Sequence, residues 1–218
     1  MMRNVRKNKD LGIYGLAAKW YDRNSRKSRL AEMEAYADEV ATHAAKGAHI
    51  LEVAPGPGYL SIELAKRGFH VTAVDISPDF VEIARRNAKE ANVSVNFMEG
   101  NASDLPFDDH RFDFVICTAA FKNFKEPVKA LCEMYRVLKE GGTALIVDMN
   151  REATDEEIEH EVSKMNGLDK YFVKFSFKTF LKQGAYTAEE FEAFIKETPF
   201  QQHKIRKEGI GLYVYLNK

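Results

Sequence analysis

Apolar and polar residues follow two rhythms along this chain, and the change between them marks its organisation. Leu30, Met33, Ala37, Val40 and Ala44 recur at helical spacing. With the stretch from Ile13 to Tyr21 they predict two helices, the second over about Arg29 to Ala45, ahead of the main domain. Short apolar runs then take over. His49 to Ala54, His70 to Asp75, Val93 to Glu99, Phe112 to Thr118 and Thr143 to Asp148 read as strands. Helical segments separate them: Tyr59 to Arg67, then a helix from Pro78 to about Ala91 capped by Ser77. Lys125 to Leu138 predicts another, stopped by Gly141 and Gly142.

Strands alternating with helices predict an α/β fold, a doubly wound and mostly parallel sheet covered on both faces. Right-handed crossovers restrict its topology. After Asp148 the alternation ends. Asn150 to Tyr186 holds an acidic helical piece followed by the aromatic run Tyr171 to Phe180. A helix is expected from Thr187 to about Glu197. Gln201 to Lys207 and Ile210 to Asn217 read as two further strands, linked so tightly at Gly209 to Gly211 that they must form an antiparallel hairpin. That makes seven strands.

Composition narrows the picture. At 218 residues the chain suits one domain. We divide it into N-terminal helices (1–47), a core (48–149), a cap (150–186), and a C-terminal helix with the hairpin (187–218). A net charge of −1 gives no argument for a nucleic-acid polyanion as the main partner, and none is expected. Two cysteines, Cys117 and Cys132, form neither a disulfide framework nor a metal-ligand pattern, so a reducing cytoplasm and no metal are expected. Arg3, Arg6, Lys7 and Lys9 make a basic tip that reads as a frayed end. The apolar stretch after it is short and broken by Lys19, so no signal peptide is expected. No apolar run reaches membrane-spanning length, and no membrane partner is expected.

The sharpest local signal is Glu52-Val-Ala-Pro-Gly-Pro-Gly58, leaving a strand and entering a helix. Glycine lets backbone approach a ligand, and a helix start offers free N–H groups. Asp75 ends the next strand, where a carboxylate can accept from both ribose hydroxyls. The full dinucleotide pattern fails at its third glycine, where Ser61 stands. Glu52 would repel a pyrophosphate and attract an ammonium or sulfonium cation.

With these residues in place, the chain resembles the class I S-adenosylmethionine-dependent methyltransferases, in particular the ubiquinone/menaquinone-biosynthesis type and related small-molecule enzymes. The resemblance runs from about Ala18 to Asp148. Ile50 to Gly58 matches the family's glycine motif, and Val71 to Ser77 its ribose acid. Gly100-Asn101-Ala102, with Leu105-Pro-Phe107, matches the adenine-edge turn. Phe112-Asp113 and Met134 to Gly142 match the segments around the fourth and fifth strands. The resemblance implies a Rossmann-like fold, S-adenosyl-L-methionine as cofactor with S-adenosyl-L-homocysteine as product, and direct in-line methyl transfer to a small molecule. It also implies roles. Glu52 faces the methionine end, Ala54, Gly56 and Gly58 form the turn, Asp75 meets the ribose, and Ile76 packs on the adenine. Asn101 and Ala102 meet the adenine edge, and Thr118 completes the set. Ala18-Lys-Trp-Tyr21-Asp22 is similar to a signature whose tyrosine lies over the cofactor; a core aromatic is the other reading of Tyr21. Ala54 and Pro55 replace commoner glycine and small residues, and Asn101 replaces a common aspartate.

Methyl transfer from a sulfonium needs alignment more than acid–base machinery. The acceptor side is expected in the loop after the fourth strand, where Lys122 and Asn123 stand in place of the histidine many relatives carry. Lys122 orients an anion or acts as a base in one reading and is a solvated loop lysine in the other. Cys117 reads as a buried strand residue. Tyr171, Phe172, Phe175, Phe177 and Phe180 line an apolar or aromatic acceptor pocket, or else a core or homodimer patch. Two other classes compete, a nicotinamide-dependent oxidoreductase and a non-catalytic cofactor-binding module.

Overall fold

The computed structural model describes residues 10–163 and 182–218. Seven strands form one sheet in the order β3-β2-β1-β4-β5-β7-β6. They are β1 (His49–Val53), β2 (His70–Asp75), β3 (Asn96–Glu99), β4 (Phe112–Thr118), β5 (Leu138–Met149), β6 (Gln202–Glu208) and β7 (Gly211–Asn217). The first five pair in parallel, while β7 runs antiparallel to both β5 and β6. The strand order changes direction between β1 and β4, which sets a crevice at the carboxyl ends of those strands.

Alternation along each strand sorts side chains between two cores. Leu51, Val53, Val115, Cys117, Ala144 and Ile146 face α4 (Pro127–Val137) and α6 (Ala188–Lys196), meeting Leu131, Met134, Phe191 and Ile195. Ile50, Phe114, Ile116 and Leu145 face the opposite way, onto α1 (Gly15–His43) and α2 (Tyr59–Lys66). α3 (Pro78–Glu90) covers β2 and β3 on that same side through Val81, Ala84 and Ala88. Its start is as expected: Pro78 is the first helical residue, and Ser77 accepts from the amide of Phe80. α5 (Asp155–Ser163) is the acidic helix. Thr187 and Glu190 form a reciprocal capping box at the head of α6.

Three expectations are corrected. The two N-terminal helices are one helix of 29 residues. The polar stretch between them lacks glycine and proline, and Asn24 and Ser25 donate back to the carbonyls of Trp20 and Tyr21 one turn earlier. Gly141 and Gly142 do not stop α4; the helix ends at Val137 and β5 begins at once. The two glycines lie where the β4–β5 register shifts, with Gly141 at φ +75°. The third strand starts at Asn96 rather than Val93. The aromatic run from Tyr171 to Phe180 lies outside the described residues.

α1 is fastened through Asp22, which is buried. Its side chain accepts from the Tyr59 hydroxyl at 2.7 Å, Asn87 Nδ2 at 2.9 Å and Arg86 Nη2 at 2.7 Å, tying α1 to α2 and α3 at one point. Ahead of α1 the chain crosses the carboxyl edge of the sheet as a strap. Asp10 accepts from the Lys125 amide (2.8 Å) and Asn101 Nδ2 (3.1 Å), and Leu11 donates to the Asn123 carbonyl (3.3 Å). The Ile13 carbonyl accepts from Ser77 Oγ (2.6 Å), and the Gly15 amide donates to Asp79 (2.9 Å).

Gly58 shows how tightly the crevice is built. It sits at φ +80°, and an added Cβ would lie 2.9 Å from both Ala84 Cβ and Phe97 Cζ. Gly58→Ala is therefore expected to cost about 1–3 kcal/mol, lowering the melting temperature by roughly 3–10 °C. A thermal melt of purified variant and parent checks this; an unchanged midpoint would contradict the packing.

Candidate functional site

The crevice is shaped by the turn from Val53 to Gly58. Ala54, Gly56 and Gly58 all have positive φ, at 59°, 54° and 80°. Alanine adopts this region at a cost, which persists only where the surroundings enforce it. Here the Ala54 amide donates to the Val74 carbonyl at 2.8 Å, extending the β1–β2 ladder into the turn. The Gly56 amide then donates to Asp75 Oδ2 at 2.9 Å. Asp75 Oδ1 accepts from the Ser77 amide at 2.8 Å. One carboxylate thus holds both the glycine turn and the start of the β2–α3 loop. Burial pushes the Asp75 carboxyl up, and backbone amides of Ser77, Gly56 and Ile76 work against that shift.

Glu52 precedes the turn. Strand alternation puts it on the face of Ile50, toward α2, where it is 1% exposed and accepts a hydrogen bond from the Ser61 hydroxyl. Burial pushes its carboxyl up to about 7, outweighing the Ser61 hydrogen bonds that pull it down. Nearby Asp75 adds to the rise and Arg29 opposes it. The carboxyl therefore titrates near neutrality beside the mouth of the turn, a poised charge that an approaching cation or anion would bias in opposite directions.

The remaining expected site residues fall along the same edge. Ile76 is half-buried and Ala102 buried, in the loops after β2 and β3. Asn101 is more engaged than the sequence suggested: Oδ1 accepts from the Ser103 amide at 2.8 Å and Nδ2 donates to Asp10. Thr118, at the tip of β4, is 9% exposed. Tyr21 is half-buried, edge-on to Phe80 at 5.8 Å between centroids, and its hydroxyl accepts from Arg29 at 2.9 Å. Phe80 is in turn the nearest neighbour a Cβ on Gly56 would meet, at 4.0 Å, so Tyr21 reaches the turn through one ring. Asn123 is half-buried and bears the strap on its carbonyl.

Lys122 is the clearest surprise. It is no solvated loop lysine but 7% exposed, its ammonium 2.9 Å from Asp148 Oδ1 and 2.5 Å from the Ala119 carbonyl. Its amide also donates to Asp148 Oδ2 at 2.8 Å, and the Met149 amide donates to Oδ1. Asp148 is itself 4% exposed. The sequence marked Asp148 only as the last residue of a strand; an acid ending a buried strand was the available signal for its partner. Arg29, Ser61 and the anchor Asp10 were likewise unanticipated. Cys117 is fully buried and its thiol is pushed well up by desolvation, in keeping with a packing role. Among the described residues no three His, Cys, Asp or Glu side chains gather as a metal site, and no helix is long and apolar enough to cross a membrane.

Comparison with known proteins places this arrangement. Residues 51–146 match the family model described as a methyltransferase domain. The chain is 41% identical over 104 residues to a demethylmenaquinone methyltransferase of Clavibacter sepedonicus, covering 48% of this chain and 42% of that protein. It is 33% identical over 150 residues to a ubiquinone/menaquinone biosynthesis C-methyltransferase of a Bradyrhizobium strain, covering 66% and 55%. The chain spans about half the length of the curated relatives it matches. Its fold is shared with a crystal structure described as a putative S-adenosyl-L-methionine-dependent methyltransferase of Methanococcus maripaludis, with a TM-score of 0.76 and 24% identity over 97% of this chain and 96% of that one. By its sheet order and by residues 51–146, this chain is thus similar to a methyltransferase domain.

Proposed function

We propose that the chain transfers a methyl group from S-adenosylmethionine to a small, apolar or aromatic acceptor. The observation that carries this reading is Glu52: a buried carboxyl poised near neutrality at the head of a turn with three positive-φ residues. A pyrophosphate set there would face that carboxylate, whereas a methionine ammonium and sulfonium would be drawn to it. The residues fit the cofactor, which would supply an electrophilic methyl on sulfur. Ala54, Gly56 and Gly58 present backbone without side-chain bulk beyond one methyl. Asp75, pre-aligned by two amides at 2.8 and 2.9 Å, keeps lone pairs for ribose hydroxyls. Ile76 and Ala102 offer apolar contact to the adenine, Asn101 a polar edge, and Thr118 and Tyr21 close the sides.

Transfer then rests on holding the acceptor in line behind the methyl, with no proton required for the leaving thioether. The relatives, a demethylmenaquinone methyltransferase and a ubiquinone/menaquinone biosynthesis C-methyltransferase, support a small cyclic acceptor. Lys122 and Asn123 position the loop after β4; we assign Lys122 to the rigidity of that loop through Asp148, not to proton abstraction. Both cysteines are free thiols, in keeping with a cytoplasmic setting.

Adding S-adenosylmethionine or S-adenosylhomocysteine should raise the melting temperature, while nicotinamide dinucleotides should not. Asp75→Ala should lose most of that shift; a full shift would remove Asp75 from the site. Affinity should also depend on pH with a definite sign. A cation favours ionised Glu52, whose pKa lies near 7, so binding should strengthen roughly tenfold from pH 6 to pH 8. Without ligand the sign reverses. A carboxyl whose folded pKa is raised makes the fold less stable as pH climbs from its unfolded value toward 7 and above, so Glu52→Gln should gain stability over the parent most clearly at pH 8. Calorimetry and melts at both pH values check this. Lys122→Met, by stranding Asp148, should cost about 3–5 kcal/mol of stability, whereas adding Asp148→Asn should recover much of it. A double variant that melts normally yet turns over nothing would return Lys122 to the acceptor site.

A further inference from the structure

The strap and the first two turns of α1 carry a surface the cofactor site does not use. Among the described residues, all six large apolar side chains that are exposed lie between Leu11 and Leu30. Leu16 is 83% and Trp20 60% exposed, with Leu11, Ile13 and Tyr14 beside them. The helix explains the division. Ala18, Tyr21 and Asp22 turn inward onto α2 and α3, so Leu16, Lys19, Trp20 and Arg23 turn outward together. Neither Lys19 nor Arg23 is engaged in an ion pair among the described residues, unlike Arg26 and Arg29, which pair with Glu90 and Glu32.

Charge says what this face suits. Between Gly15 and Leu30, α1 holds five Lys and Arg against one Asp, in a chain whose totals are 32 and 33. This basic first half of the helix, with Leu and Trp exposed among its cations, is suited to the headgroup layer of an anionic bilayer, where the rings and aliphatic chains enter the interface and the cations meet phosphates. A nucleic acid would use the cations and leave Leu16 and Ile13 in water. We propose that this face, Leu16 and Trp20 flanked by Lys19 and Arg23, docks the protein peripherally on an anionic lipid surface. The expectation of no membrane partner rested on the lack of a spanning segment, which a peripheral surface does not need. The proposal stands independently of the methyl-transfer reading.

Trp20 is the single tryptophan of the chain, so it reports its own environment. The full chain is mixed with vesicles of equimolar phosphatidylglycerol and phosphatidylcholine, and separately with phosphatidylcholine alone. Co-sedimentation with the anionic vesicles only, a shift of Trp20 emission to shorter wavelength, and loss of both at high salt are expected. Lys19→Glu with Arg23→Glu, and separately Leu16→Asp, should weaken vesicle binding about tenfold or more at an unchanged melting temperature. No sedimentation with anionic vesicles overturns the proposal. So does sedimentation without the emission shift, or equal binding by the variants. Binding to an oligonucleotide duplex but not to vesicles assigns the face to nucleic acid, and a dimer that shields Trp20 in sedimentation velocity assigns it to a second copy; either result defeats the lipid assignment.

Discussion

Gly56 gives its amide to Asp75 across the tips of two neighbouring strands, and the crevice depends on that bond. β1 and β2 are held in register along their length, but the chain leaving β1 has to turn sharply, through three residues with positive φ, before α2 can begin. Such a turn exposes amides that helix and sheet do not satisfy. Asp75 meets that need and, with its other oxygen, the amide of Ser77. The carboxylate is a strut of the fold in its own right, which gives a structural reason for an acid at the end of β2. Replacing it by alanine removes two supports at once.

The two acids of the crevice are set apart by their surroundings. Asp75 has backbone amides on both oxygens, which work against its burial, though burial still prevails. Glu52, one strand over, has chiefly the Ser61 hydroxyl, and burial prevails. Carboxyls of similar intrinsic strength therefore differ in readiness to carry charge. A cation brought beside Glu52 would supply the compensation that the fold withholds from it.

Much of this was legible in the residues themselves. Short apolar runs bounded by turn residues located β1, β2 and β4 to within a residue, because strands covered on both faces are apolar almost throughout. Ser77-Pro78 announced a helix start through chemistry that acts within four residues. What failed was anything decided at longer range. The polar stretch of α1 reads as a break until its i−4 hydrogen bonds and the Asp22 anchor are seen. Gly141-Gly142 reads as a helix stop because β4, the strand against which it shifts register, is remote in sequence. Lys122 and Asp148 stand 26 residues apart, and nothing local indicates that β5 will bring them within 2.9 Å.

The strap from Asp10 to Gly15 differs in kind from the elements it covers. Its ends are held by a handful of hydrogen bonds to side chains and carbonyls, and its apolar residues lie largely outside the core. Such a segment opens locally, at a small fraction of the free energy that would part the sheet. Its amide protons should trade with solvent deuterium long before those of β1 or β4. The cover on this edge of the sheet therefore moves on the clock of a loosely buttoned flap, with the scaffold beneath it undisturbed.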